Sequence, residues 1–426
     1  MKLVPSSRRK NVKKAVSDKN AKSQSALSFL RGNLATIAVS SAIGGFGAGI
    51  IHTWVPRYFN ELGGNPFTLG LMQFATLIVQ CAMFLLGGII ADHYGRRRII
   101  VLSAFYGISF PLLYAITQDW RTFALLTVLS ALGTVSRPAS QALVIDSIQP
   151  KKRTTGIASL QVISSLPVPI AILIGAWLIQ NHSLLNGFRL ACIYAAAAAL
   201  ASAFVVLLFL KETLRSRVAG KLTFPNFNAF RSFMKLSYQL PTSLKALIVS
   251  YALIMFANGA VGQYYILYAH DVIKLTDSEW GLIVSLQFLL AIALKIPGGH
   301  FSDKFGKRKI MIISAATCAP FAILFTFSRS FVQALIVALL LIVTGIYYAP
   351  AHEALQADLT PRAMRGRITA LWDISNAVSA ASGALLGGFL FQTVNPAAPF
   401  YLFAAAELMA ALFLVSVVRE PVKKEV

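Results

Sequence analysis

Charged residues are scarce in this chain. Asp, Glu, Lys and Arg make up 13% of its 426 residues, whereas apolar residues make up 56% and the mean hydropathy is +0.66. Soluble domains carry about 25% charged residues. The shortage excludes an ordinary soluble globular domain and indicates a membrane protein.

Cysteines and catalytic signatures are also scarce. The three cysteines, Cys81, Cys192 and Cys318, lie far apart in apolar segments, so we expect no metal cluster, disulfide framework or cofactor. The sequence has no phosphate-binding loop and no nucleophile paired with a base, which disfavours a primary pump and an enzyme. The first 30 or so residues are polar and basic, unlike a cleavable signal peptide, so the first membrane helix is expected to be retained.

Apolar runs long enough to cross a hydrocarbon layer of about 30 Å are abundant. They fall at residues 34–55, 68–91, 98–117, 122–145, 156–180, 188–210, 246–269, 280–301, 309–328, 331–356, 368–391 and 399–418. The sequence therefore predicts an all-α integral membrane protein with 12 transmembrane helices in two six-helix bundles. The predicted segments are a basic N-terminal tail, the first bundle, a central loop, the second bundle and a C-terminal tail, at residues 1–33, 34–210, 211–245, 246–418 and 419–426.

One motif occurs twice, each time where the second apolar run of a half ends. It reads Gly-x-x-x-Asp-x-x-Gly followed by three basic residues, and the copies lie 211 residues apart. The first copy comprises Gly88, Asp92, Gly95, Arg96, Arg97 and Arg98, and the second comprises Gly299, Asp303, Gly306, Lys307, Arg308 and Lys309. An offset of 212 residues relates Asp146, Arg153 and Gly175 to Asp358, Arg365 and Gly387. An offset that survives away from the motif indicates an ancient duplication, which is common in transporters.

Basic residues outnumber acidic ones by 39 to 16. Of these 39, 32 lie in the two tails and in the loops on one side of the predicted helices. The positive-inside rule therefore predicts that both termini are cytoplasmic. The excess does not indicate nucleic-acid binding, because no aromatic platform or nucleic-acid motif accompanies it. We expect a multi-pass monomer of the plasma or inner membrane, with the lipid bilayer, a small-molecule substrate and protons as its partners.

The twelve runs, the basic central loop and the doubled motif resemble the major facilitator superfamily over nearly the whole chain after Asn33. The resemblance implies two six-helix bundles around a central cavity that opens alternately to each side of the membrane. It also implies that the first, fourth, seventh and tenth helices line that cavity most closely. The motif loops then form a gate on the cytoplasmic side, held shut while the cavity faces outward.

Each motif residue type suits such a gate. Gly88 and Gly299 would permit close helix approach, and Asp92 and Asp303 lie where a carboxylate can meet a helix N-terminus or a guanidinium. By the resemblance, the pairs Asp146 with Arg153 and Asp358 with Arg365 are further gate members. The alternative is that the basic residues only anchor the topology, and we favour anchoring for the third one of each copy.

Ionisable residues inside the apolar runs need a partner or a purpose. Arg137 lies near the membrane midplane and Glu353 nearer the cytoplasmic end of the tenth helix. They could pair across the cavity, or Arg137 could hold an anionic substrate while Glu353 carries a proton. Asp373, early in the eleventh helix, is a second proton candidate or a helix-start carboxylate.

For the remaining ionisable residues in the apolar runs, we expect a structural role before a role in transport. Lys295 is expected to snorkel or to pair with Asp373 rather than to bind substrate. Glu407, in the twelfth helix, is expected to make a structural pairing, because that helix is peripheral in the family. His52, His270 and His352 are expected to be hydrogen-bonding groups, with proton coupling as the alternative.

The predicted cavity walls are apolar and aromatic, which suits a moderately lipophilic small molecule. The alternative for each aromatic residue is packing between helices. The candidates are Trp54, Asn258, Gln263, Tyr264, Tyr265, Tyr347 and Tyr348.

Together these patterns predict a secondary active transporter, proton-coupled, that exports a lipophilic or amphipathic compound. The segment from Val168 to Ala176 lacks the Gly-Pro common in the fifth helix of drug and proton antiporters, which weakens the efflux assignment. Sugar-porter signatures are not evident either. The alternatives are proton-coupled uptake of a small organic anion or nutrient, indicated by Arg137, and a transporter-like receptor that binds without transport.

Overall fold

The computed structural model describes residues 32–148, 153–214, 240–360 and 365–418. Within these ranges the side chains of residues 153–155, 158, 295–303, 365–367 and 370 are not described. The predicted N-terminal and C-terminal tails and most of the predicted central loop lie outside the described residues.

The described residues form α-helices and no β-strand, and twelve helices are long and apolar enough to cross a membrane. In the first half they are α1 (Asn33–His52 and Val55–Glu61), α2 (Pro66–Tyr94), α3 (Arg96–Ile116), α4 (Trp120–Ser130 and Arg137–Ser147), α5 (Arg153–Ser165 and Val168–His182) and α6 (Leu184–Phe209). In the second half they are α7 (Thr242–Gly262 and Tyr264–Asp271), α8 (Asp277–Phe305), α9 (Lys307–Thr326), α10 (Phe331–Gly345 and Tyr348–Leu359), α11 (Arg365–Thr393) and α12 (Ala398–Ser416). The predicted all-α membrane class with twelve helices is confirmed.

Corresponding helices of the two halves are interrupted at matching positions, as a duplication predicts. In α4 a 3₁₀ segment, Ala131–Ser136, ends just before Pro138, and α10 breaks just before Pro350. A proline cannot donate to the preceding turn, so each break falls where the ladder of hydrogen bonds is already interrupted. α1 and α7 are also discontinuous at matching points. Broken helices are a recurrent feature of transporter folds.

The duplication is equally visible where helices begin. α2 starts with a capping box in which the Asn65 side chain accepts from the Thr68 N–H and the Thr68 hydroxyl accepts from the Asn65 N–H. α8 starts with the same device between Thr276 and Glu279, 211 residues later. These boxes satisfy N–H groups that have no partner within the helix.

The two halves pack against each other through α2 on α11 and α5 on α8. We call the end of the bundle that carries Gly95 and Gly306 the motif end, and the end that carries the two capping boxes the opposite end. The largest apolar core runs through both halves and includes Trp54, Tyr58 and Phe400, each fully buried.

Candidate functional site

The two motif copies share one backbone conformation. Gly95 has φ 99° and ψ 138°, and Gly306 has φ 91° and ψ 132°. Each glycine ends one helix and begins the next, a reversal that uses a positive φ disfavoured for residues with a Cβ. The second glycine of the motif is therefore required by the chain reversal, which is the same in both halves.

The first basic residue of each copy pairs within its own half. Arg96 bonds to Asp146 of α4 and lies 4.0 Å from Asp92. In the second half, the Lys307 Nζ lies 2.5 Å from the Asp358 Oδ2 of α10. The predicted partners of these aspartates, Arg153 and Arg365, have side chains outside the described set.

The second basic residue of each copy caps a helix. The Arg97 Nε and Nη2 donate to the carbonyl oxygens of Leu210 and Leu207 at 2.7 and 2.8 Å. The Arg308 Nε and Nη2 donate to the carbonyl oxygens of Leu414 and Val415 at 2.9 and 2.6 Å. The last carbonyls of a helix lack partners within it, and a cation there is also favoured by the helix dipole. The sequence predicts Arg97 and Arg308 as gate residues, and it does not predict that they cap the C-terminal ends of α6 and α12.

The gate aspartate of the first copy is open to solvent, because 54% of the Asp92 side chain is exposed. A Cβ on Gly88 would meet nothing within 4 Å, so the close approach predicted for Gly88 is not made here. Its neighbour Gly87 makes it instead, because a Cβ there would lie 2.2 Å from the Val135 carbonyl oxygen. The side chain of Asp303 and the surroundings of Gly299 lie outside the description, and Arg98 and Lys309 are exposed.

Polar contacts between the halves lie toward the opposite end. Arg57 of α1 forms an ion pair with Asp277 of α8, and Ser278 bonds to Gln180 of α5. Further bonds between the halves run from the Phe67 N–H to the Gln392 Oε1 (3.0 Å), from the Tyr264 hydroxyl to the Pro66 carbonyl oxygen (3.2 Å), and from the Ser285 hydroxyl to the Pro169 carbonyl oxygen (3.1 Å). No other hydrogen bond or ion pair recorded between described residues joins the two halves. We call this set of contacts the seal.

Trp54 and Tyr264, predicted to line the cavity, are not part of its lining; Tyr264 belongs to the seal, and Trp54 packs against α8 of the other half. Both are fully buried. A Cβ on Gly281 of α8 would come within 3.5 Å of the Trp54 ring, and the Tyr264 ring stacks on Phe391 of α11 at 5.5 Å. Their positions in the sequence predict helices that line the cavity, but they do not predict which face of each helix turns toward it.

A cavity of about 540 Å³ lies between α1 and the second half. Its walls come from α1, α7, α8, α9, α10 and α12, and four of the predicted wall residues line it. These are Asn258, Gln263, Tyr265 and Tyr348. Tyr347, the remaining candidate, is half-buried and is not part of the lining.

The lining is mostly apolar, with a few fixed polar groups. The Asn258 side-chain amide donates to the Ile254 carbonyl oxygen at 2.8 Å, and that of Gln287 donates to the Ala338 carbonyl oxygen at 2.9 Å. The His52 side chain is exposed to this space. Apolar walls with sparse oriented polar groups are typical of sites for small organic molecules.

Glu407 of α12 also lines the cavity, although it was expected to make a structural pairing away from it. It is 3% exposed and makes no hydrogen bond or ion pair with any described residue. No described residue provides the predicted structural pairing, because this face of α12 is turned toward the cavity. The available signal was a lone carboxylate in an otherwise apolar helix.

The other ionisable candidates lie outside this lining. Arg137 and Glu353 are both exposed, and they do not pair with each other or with another described residue. Asp373 is half-buried, and it and Glu353 lie within electrostatic range of the Tyr251 hydroxyl. The Lys295 side chain is outside the description.

The histidines differ in their surroundings. His352 is 1% exposed and stacks on Tyr251 at 3.9 Å and against Trp372 at 4.4 Å. The His270 Nδ1 lies 3.0 Å from the Asp271 Oδ1 in an exposed position. No group of three His, Cys, Asp or Glu residues in the described part of the chain could hold a metal ion.

Comparison with known proteins gives one family. The model of the Major Facilitator Superfamily matches residues 37–278 and 247–426. An uncharacterized MFS-type transporter of Methanocaldococcus jannaschii is 21% identical over 391 residues, which cover 90% of this chain and 94% of that protein. The multidrug resistance protein MdtG of Yersinia enterocolitica is 25% identical over 380 residues, which cover 85% of this chain and 87% of that protein.

Solved structures agree on the fold. The human organic anion transporter MFSD10 superimposes with a TM-score of 0.67 at 16% identity, covering 90% of this chain and 98% of that one. The nucleoside transporter NupG superimposes with a TM-score of 0.72 at 13% identity, covering 90% of this chain and 99% of that one.

Proposed function

Because the chain belongs to the Major Facilitator Superfamily, and is a transporter rather than an enzyme, we propose that it exports a small lipophilic or amphipathic compound in exchange for protons. The two halves would rock about the cavity so that it opens to one side of the membrane at a time. Curated relatives that span most of the chain are named multidrug resistance proteins, which favours efflux.

The observation that carries the proposal is the 540 Å³ cavity beside the seal. Its volume falls in the range of sites for drug-sized molecules, about 300 to 1,000 Å³. The recorded contacts between described residues of the two halves lie toward the opposite end, whereas Asp92 at the motif end is exposed. This arrangement supports a conformation closed at the opposite end and accessible from the motif end.

The basic loops orient this conformation in the membrane. The motif end carries the Lys and Arg clusters, so the positive-inside rule assigns it to the cytoplasm together with both termini. The conformation described here is then inward-facing, in a multi-pass monomer of the inner or plasma membrane.

Proton coupling is proposed for Glu353, with Asp373 as the second carboxylate. Neither makes a hydrogen bond or ion pair with another described residue, and both lie near Tyr251. A carboxylate that alternates between water and a closed interior can load and release a proton as its surroundings change.

The test is transport by the purified chain in proteoliposomes. Vesicles are loaded with a lipophilic compound, and counterflow of the labelled compound is measured with and without a pH gradient. Exchange that exceeds protein-free vesicles, and net flux driven by the gradient, are expected. Binding of compounds without exchange would instead identify a transporter-like receptor.

Uptake of a small organic anion is the second candidate, because Arg137 is exposed and makes no ion pair with a described residue. If Arg137 binds the anionic substrate, Arg137→Lys should weaken that binding, because an ammonium group cannot form the paired hydrogen bonds of a guanidinium. Arg137→Ala should then abolish it. Binding like the parent's in both variants would leave Arg137 a structural residue.

A further inference from the structure

Among the described residues, the cavity lining holds one carboxylate and no Lys or Arg. That carboxylate belongs to Glu407, and the described lining also includes the His52 imidazole. Any charge selection by the cavity must therefore come chiefly from Glu407.

Glu407 is buried, although burial is costly for a carboxylate, and no described side chain forms a hydrogen bond or ion pair with it. The polar groups within its electrostatic range include the Tyr265 and Tyr348 hydroxyls and the Cys318 thiol, none of which carries a positive charge. An uncompensated buried charge is destabilising, whereas one that meets a cation in the cavity is offset by that contact. The missing partner points to a cation that enters the cavity from outside.

The walls around Glu407 suit an organic cation better than a hydrated metal ion. Five aromatic residues belong to the lining, namely Tyr265, Trp280, Phe325, Tyr348 and Phe403. The face of an aromatic ring attracts a cation, most strongly where water is excluded. Divalent metal ions are usually held by more than one carboxylate, and the described lining provides one.

We propose that Glu407 is the anionic subsite of the cavity and that the compounds bound there are lipophilic cations such as quaternary ammonium or phosphonium ions. The Glu407 carboxylate would contact the positive centre, and the aromatic side chains would contact its apolar substituents. This inference rests on the proposed function, because it assumes that the cavity is the substrate site.

The test is equilibrium binding to the full-length protein in detergent, with two probes of nearly the same shape and opposite charge. Tetraphenylphosphonium should bind the parent, and tetraphenylborate should bind much more weakly. Glu407→Gln keeps the size of the side chain and removes its charge, so it should weaken tetraphenylphosphonium binding by about 10- to 100-fold. Glu61→Gln makes the same change at an exposed carboxylate outside the lining and is the matched control, with binding like the parent's.

Folding is checked separately from binding. Glu407→Asp keeps the charge one methylene further from the cavity, so it should retain more tetraphenylphosphonium binding than Glu407→Gln. In the absence of probe, no variant should unfold at a lower temperature than the parent, and Glu407→Gln should unfold at the same or a higher temperature because it removes a buried charge. A parent that binds neither probe, or binds both equally, overturns the inference, and so does Glu407→Gln binding like the parent.

These results are independent of transport. Loss of cation binding in Glu407→Gln together with no counterflow by the parent would refute the proposed function and leave the subsite in place. Counterflow of neutral and charged compounds alike by the parent would support the proposed transport function and refute the anionic subsite.

Discussion

The two ends of the molecule use similar ion pairs in different ways. At the motif end, Arg96 with Asp146 and Lys307 with Asp358 join helices of the same half. At the opposite end, Arg57 with Asp277 joins one half to the other. The first kind can persist while the halves move as rigid bodies, whereas the second kind must break for the opposite end to open.

The difference indicates which contacts set the balance between conformations. A contact within one half stabilises that half equally in both conformations and shifts nothing. A contact across the halves exists in one conformation only, so its full free energy biases the equilibrium. The seal is therefore the place where substitutions should have conformational effects.

The largest expected effect comes from filling the seal at a glycine. A Cβ on Gly388 of α11 would lie 2.4 Å from the Pro66 carbonyl oxygen of α2. Gly388→Val should prevent the halves from closing at the opposite end and should abolish counterflow, with an overpacking cost of about 1 to 3 kcal/mol. The measurements are counterflow and labelling of the cavity from the opposite side.

Gly88→Val is the control at the motif end, where a Cβ meets nothing within 4 Å in this conformation. It should leave the conformation described here in place. Equal loss of closure at the opposite end in both variants would contradict the distinction between the two ends.

The second prediction concerns proton coupling near the motif end. Glu353→Gln removes an exposed carboxylate and mimics its protonated state. It should abolish flux driven by a pH gradient and spare substrate exchange, which needs no net proton movement. Gradient-driven flux equal to the parent's would remove Glu353 from the mechanism and leave Asp373 as the next carboxylate to test.

The third prediction concerns the ion pair of the seal, whose side chains are 12% and 18% exposed. Arg57→Ala and Asp277→Ala should each raise labelling of a cysteine at Thr53, which lines the cavity, from the opposite side. In a double-mutant cycle the two changes should couple by about 0.5 to 3 kcal/mol. Additive effects would mean that the pair does not hold the halves together.

The smallest effect in the present conformation is expected at Asp92, which is exposed. Asp92→Asn should fold and insert normally and shift the population toward the inward-facing state, because Asp92 is proposed to act when the motif end is closed. Labelling of introduced cysteines on the cytoplasmic side should rise. Unchanged labelling with normal transport would remove Asp92 from the gate.

The sequence predicted the elements of this molecule well because each has a local signal. Apolar length identifies a membrane helix, and the motif with its half-chain offset identifies the duplication. The sequence did not show that Arg97 and Arg308 cap α6 and α12, since those partners lie more than 100 residues away.

Cavity residues were harder to predict for a related reason. Trp54 and Tyr265 are both aromatic residues on helices expected to line the cavity, yet Trp54 packs between the halves at α8 and Tyr265 belongs to the cavity wall. Apolar periodicity gives no direction in a helix that is apolar on all sides. Glu407 was misassigned because the family expectation placed α12 at the periphery, whereas its Phe403 and Glu407 reach the cavity.

The most direct test of the account is a pair of distances measured by spin labels in membranes. One pair, at Tyr94 and Phe305, spans the halves at the motif end, and the other, at Asn181 and Val394, spans them at the opposite end; all four side chains are exposed. When a proton gradient and a transported compound are applied, the motif-end distance should shorten as the opposite-end distance lengthens. Distances that stay fixed, or that change in the same direction, would contradict alternating access between the two ends.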